Sequence, residues 1–186
     1  MITDVGNKSA LLVKFGCQYY VAARFSMFVG LSPVAANLFH HAIEFLVKGH
    51  LAKKISSEEL ANKDTGGHNL KKLWKLFKND FLKVDLSMHD QTINALHSWE
   101  AIRYPDKIVT KGMEASMIWE SIEVYPKFPW ASRLPKYRIV VENIDLLFVD
   151  ICKTCNIDPK PLISPVPESV AAVSKLNKQA DFFIGT

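Results

Sequence analysis

The sequence predicts an all-α protein, an up-down bundle of about five helices. Three observations predict it. The run Asn37-Leu38-Phe39-His40-His41-Ala42-Ile43-Glu44-Phe45-Leu46-Val47-Lys48-Gly49-His50-Leu51 is apolar around most of a helical circumference, as a central helix of a helical core must be. Leu70, Leu73, Trp74, Phe77 and Phe81 stand opposite Lys71, Lys75 and Lys78, so that segment is cleanly two-faced. Val140, Ile144, Leu147, Phe148, Ile151 and Cys155 repeat at i, i+4, i+7, i+8, i+11 and i+15, which is helical spacing again.

Taken in order, Lys8 to about Val29 reads as the first helix, with Leu12, Phe15, Tyr19, Ala22, Ala23 and Ser26 on its inner face, and Gly30-Leu31 closing it. Ser32-Pro33 is a start signal, a hydroxyl cap followed by a proline that lacks the amide a first helical turn leaves unused. The second helix then runs from Pro33 to about Lys54. Gly66-Gly67 ends a polar loop, and the third helix spans about Asn69 to Phe81. The fourth begins near Ser87, carries Asp90 in its first turns and stops before Pro105, with Ile93, Leu96 and Ala101 inward. Met113 to Ile122 suits a short helix or an extended excursion, and Tyr125 to Leu134 is irregular. The helical pattern returns from Pro135 and ends at Pro159 and Pro161. The domain reading is a bundle over 1–160 and a tail over 161–186, with room for a short helix around Glu168 to Gln179 and an apolar Phe182-Phe183-Ile184 end suited to docking.

Composition narrows the class. With 186 residues, 48% of them hydrophobic, the chain has material for one packed core. A net charge of +4 is too small to argue for nucleic acid by itself. No apolar run is long enough to span a bilayer, no signal peptide is visible, and three cysteines suit a reducing compartment, so a cytoplasmic protein is expected. Nucleotide-binding glycine loops, the zinc-protease helix motif and the serine-hydrolase elbow are all missing. Cys152-Lys153-Thr154-Cys155 has neither the partner ligands of a zinc site nor the helix N-terminus that activates a redox thiol, so no metal and no cofactor are expected.

Three polar groups of residues remain. His40, Glu44 and Lys48 follow one another at i, i+4 and i+8 on a strip of the second helix, and His41 sits at i, i+3 from Glu44. They read either as a part-buried ion-paired stripe or as the lining of a cleft. His97, Glu100, Arg103 and Tyr104 share a broad face at the end of the fourth helix. An arginine there suits a phosphate, which its planar fork binds through two hydrogen bonds, and a histidine beside it suits proton transfer. The plainer reading is a Glu100–Arg103 surface pair. Lys71, Lys75 and Lys78 form a basic stripe that either tracks a phosphate backbone or is simply the wet side of a helix.

The order of these pieces is informative: a helix bearing His41-Ala42-x-Glu44, then Gly67-His68-x-Leu70, then Ala101-x-Arg103-Tyr104-Pro105-Asp106. The order and helical frame resemble the HEPN family of small helical domains over roughly Lys8 to Cys155. Active ribonucleases of that family carry a histidine a few residues after the arginine. Aligned on Arg103, that place falls on Ile108, Val109 or Thr110, none of which transfers protons. The chain looks instead like the Arg-Tyr-Pro branch associated with small nucleotidyltransferases. The resemblance implies a dimeric, non-catalytic binding module with Arg103, Tyr104, His41, Glu44 and Lys48 near a nucleotide, another phosphate ligand or a partner such as a nucleotidyltransferase. Its alternatives are a toxin-like or defence ribonuclease that uses Arg103 and His97 on RNA, and a purely structural interaction domain.

Overall fold

The computed structural model describes residues 4–62, 66–100, 114–118, 136–163, 177–179 and 182. Its elements in order are α1 (Asp4–Phe28), α2 (Ser32–Leu51), a short α3 (Ser57–Ala61), α4 (Leu70–Asp80), a 3-10 turn (Ser87–His89) leading into α5 (Asp90–Trp99), β1 (Glu114–Ile118), β2 (Lys136–Val140) and α6 (Val141–Thr154). The protein is mostly helical, as the sequence predicts. Among the described residues no helix is long and apolar enough to cross a membrane.

Helix α2 is the hub, packed against α1, α4, α5 and α6. Its residues Ala35, Ala36, Phe39, Ala42, Ile43, Leu46 and Val47 are buried on several sides, as its near-continuous apolar sequence requires. Pro33 stands in its first turn, where no amide is needed. Helix α1 lies antiparallel to it, Tyr19 meeting His41 and Tyr20 meeting Phe39 at one end while Ser9 Oγ donates to the Gly49 carbonyl at the other. Two glycines let the helices approach closely. A Cβ on Gly16 would sit 2.9 Å from Leu46 and 3.0 Å from the Ala42 carbonyl, and one on Gly49 would sit 2.7 Å from Val13.

This contact corrects the expected inner face of α1. Ala23 and Ser26 are buried as expected, but so are Val13, Cys17, Tyr20 and Met27, whereas Phe15 and Ala22 are exposed. The face is turned by about one residue because Gly16, not an apolar side chain, marks the line of closest approach. A second correction concerns 136–140. The helix expected from Pro135 starts only at Val141: residues 136–140 form a strand, β2, paired in parallel register with β1, Ala115 opposite Tyr137 and Met117 opposite Ile139, while Ile144, Leu147, Phe148 and Ile151 of the apolar repeat lie in α6 as expected. Helix α6 starts at Val141, where Val140 is still extended. The extended alternative for 113–122 is the one observed, over Glu114–Ile118.

Helix α4 is capped by Asn69, whose side chain accepts from the Lys72 amide at 3.1 Å, and buries Leu70, Leu73, Trp74 and Phe77. Asp90 at the start of α5 accepts from the Trp74 indole and from Lys78, tying α5 to α4. Lys78 is therefore neutralised and drops out of the expected basic stripe, which leaves Lys71 and Lys75 exposed.

Helices α1 and α6 are joined by a buried polar knot that the sequence pattern does not announce. Asp145 of α6, 1% exposed, forms an ion pair with Arg24 and accepts from Tyr20 Oη, and Asn177 of the C-terminal segment donates to Tyr20 Oη at 3.1 Å. Burial pushes the Asp145 carboxyl up and the Arg24 guanidinium pulls it back down. Tyr20 stacks on Phe148 at 4.0 Å, so the knot is sealed by aromatic packing. Phe182 packs onto the core beneath Lys153, as expected for an apolar tail residue; Phe183 and Ile184 lie outside the described residues. The thiols of Cys17 and Cys155 are pushed up to about 12 by burial, and that of Cys152 is also raised, so the three remain protonated and unreactive near neutral pH.

Removing one member of a buried ion pair leaves the other charge desolvated and unpaired. Arg24→Met is expected to lower unfolding free energy by about 3–5 kcal/mol, read from the shift in urea midpoint. Arg24→Met combined with Asp145→Leu should recover much of that loss.

Candidate functional site

The polar groups of α2 converge with the loop before α4 and the end of α5. At their centre is Glu44, on a helix whose neighbouring positions are apolar, with its side chain 1% exposed. A lone carboxylate there would be strongly disfavoured. Lys48, one turn on, donates to Oε1 at 2.7 Å, and His68 Nδ1 donates to the same oxygen at 3.0 Å. His40 Nε2 and His41 Nδ1 face the other oxygen, Oε2, at 3.4 and 3.7 Å. Burial pushes the Glu44 carboxyl up, but the neighbouring His40, His41 and Lys48 outweigh it and hold the group well below the usual carboxylate range.

His40 and His41 do leave the helix on different sides, yet both rings turn back towards Glu44. His40 is buried and donates from Nδ1 to the Leu96 carbonyl at 3.2 Å, which ties α2 to α5. His41 is about a quarter exposed and edges Tyr19. His97, at the last turn of α5, lies nearly parallel to His40 with ring centroids 6.4 Å apart. Burial, the nearby His40 and Lys71 lower the pKa of His97 against the opposing pull of Glu100, whose carboxylate is 3.9 Å from Nδ1. Nδ1 of His97, Nε2 of His40 and Oε2 of Glu44 are buried without hydrogen-bond partners among the described residues, so the inner end of this cluster is polar and under-satisfied.

The structure thus brings together His40, His41, Glu44, Lys48 and His97 of the expected groups, adds His68, and sets the exposed Lys71 within electrostatic reach of His97. Arg103 and Tyr104 lie outside the described residues, as does their expected reach to Glu44 or His41. Lys75 is exposed one turn further along α4. The residue that sequence reasoning passed over is His68. Its signal in the sequence was its place in the Gly67-His68-x-Leu70 motif. Among the described residues no group of three or more His, Cys, Asp or Glu has the geometry to hold a metal ion. Chemically, the cluster offers one ionised carboxylate, imidazoles at several depths and cationic ammonium groups at its rim.

The depressed Glu44 pKa has a consequence for acid stability. Its folded value is below its unfolded value of 4.5, so its contribution is present above about pH 4.5 and is lost as pH falls towards the folded value. In acid denaturation followed by circular dichroism, Glu44→Gln should be less stable than the wild type at neutral pH, and the gap should narrow as pH drops below 4.5. The chain matches no family model, no curated protein and no solved structure.

Proposed function

We propose that the chain is a HEPN-like, non-catalytic binding module that takes a phosphate-bearing ligand, a nucleotide foremost, at the cluster built around Glu44. The observation that carries this reading is the convergence of the Glu44 and Lys48 stripe, His41 and the His97 end of α5 in one place. Helix α5 ends at Trp99, beside that cluster, and Arg103 follows four residues later in the sequence. Arg103 and Tyr104 are the proposed ligand contacts from that side, Arg103 through paired N–H donors to phosphate oxygens. Lys71 at the rim adds favourable charge. Lys48 is engaged with Glu44, so its part is to keep that carboxylate ionised and the wall rigid.

The case against catalysis is one of proton transfer. The arginine alone stabilises charge but moves no proton, and positions 108–110 offer no acid or base. A specific observation keeps a ribonuclease as the second reading: His97 is shifted towards its neutral form and its Nδ1 has no hydrogen-bond partner among the described residues, which suits a base. Isothermal titration with ADP, beside cleavage assays on structured and single-stranded RNA, separates the two. The expected result is ADP binding without RNA cleavage, with Arg103→Ala weakening binding about tenfold to a hundredfold, the worth of a charge-assisted hydrogen bond. Robust cleavage abolished by His97→Ala would install the ribonuclease instead.

A dimer is part of the proposal. Phe25, Phe28, Val29, Leu31 and Val34 are all about half exposed around the α1–α2 corner, and Leu11 and Phe15 continue the apolar surface along α1. Such a patch favours burial against another surface. Sedimentation at micromolar concentration should give a species of twice 21.0 kDa, and Phe28→Glu should shift it to monomer.

A further inference from the structure

His68 combines two properties that rarely go together. Its side chain is 75% exposed, on the turn ahead of α4, yet its ring is anchored by a hydrogen bond from Nδ1 to a carboxylate that is 1% exposed. An exposed histidine ordinarily samples many rotamers. Here the anchor is Glu44, itself fixed by Lys48 and faced by His40 and His41. A carboxylate accepts only, so Nδ1 carries the hydrogen and Nε2, on the far side of the five-membered ring, is left without a role in the anchor. Carboxylate–imidazole pairs of this form orient a ring, fix its tautomer and stabilise its protonated state.

We propose that His68 is the ligand-facing imidazole of the site and Glu44 its positioning residue, with Nε2 recognising an anionic phosphate oxygen. On binding, the ring takes a proton from solvent at Nε2 and donates it in a hydrogen bond to that oxygen, while the Glu44 carboxylate behind it balances the charge at Nδ1. No bond in the ligand is broken. The same anchoring explains why a buried carboxylate sits in a site for an anion: it faces the ligand through the imidazole, not directly. This inference rests on the functional reading above and adds to it the residue that selects for phosphate.

Two measurements test it. Long-range nitrogen–proton NMR on the neutral ring should find His68 as the Nδ1–H tautomer, and Glu44→Gln should release it to the Nε2–H form preferred by an unanchored histidine. Calorimetry with ADP and with adenosine as probes should show His68→Ala weakening ADP about tenfold while leaving adenosine unchanged; Lys48 still holds the Glu44 carboxylate in that variant, and circular dichroism should show it folded. Loss of ADP and adenosine affinity together, an Nε2–H tautomer in the wild type, or equal ADP affinity in His68→Ala would each overturn the assignment. Wild-type protein that binds no ADP would overturn the functional reading and this inference with it, whereas ADP binding indifferent to His68→Ala would sink this inference alone.

Discussion

A carboxylate buried in the central helix of an apolar bundle sets the terms for everything around it. Glu44 cannot be left bare in that position, because an ionised group without partners costs several kcal/mol in such surroundings. Lys48 reaches it from one turn along the same helix. His68 donates to it from the turn before α4, and His40, one turn earlier on α2, faces its other oxygen while donating to the Leu96 carbonyl of α5. Satisfying one side chain therefore fixes how α4 and α5 approach α2. The polar cluster is at once a packing solution and the most chemically varied surface among the described residues.

The two buried polar groups of the bundle use polarity differently. Around Tyr20, Arg24 and Asp145 the groups are fully enclosed, sealed by Phe148 and tied to the C-terminal segment through Asn177. Nothing about that knot reaches solvent, and its role is to hold α1 and α6 in register. Around Glu44 burial is graded, from His40 inside through His41 and His97 to the exposed His68. A gradient of that kind lets a rigid interior control groups that meet solvent. This difference in exposure, more than residue type, separates a structural ion pair from a candidate site.

Much of the organisation was legible because helices announce themselves by spacing. The apolar run of α2, the two faces of α4 and the Ser32-Pro33 start signal each depend on neighbours a few residues away, and all were found close to where they were expected. Spacing failed where the reason was not local. The inner face of α1 was displaced because Gly16 allows a close helix contact that hydrophobicity does not record. The segment Lys136–Val140 stands directly ahead of the apolar repeat of α6, so the helix was expected to begin too early, and pairing with Glu114–Ile118 made the segment a strand.

For the site, the sequence by itself determined that His40, Glu44 and Lys48 share one strip, because helical geometry fixes i, i+4 and i+8 neighbours whatever surrounds them. It equally determined that positions 108–110 hold no proton-transferring side chain. Tertiary structure decided which of those polar groups are buried, that Lys78 spends its charge on Asp90, and that His68 closes onto Glu44 from across a loop. It also decided the Arg24–Asp145 pair, whose members lie on α1 and α6. The physical reason is the same in each case. Charge–charge and hydrogen-bond partners are chosen by distance in space, and a one-dimensional pattern reports that distance only within a single element of regular structure.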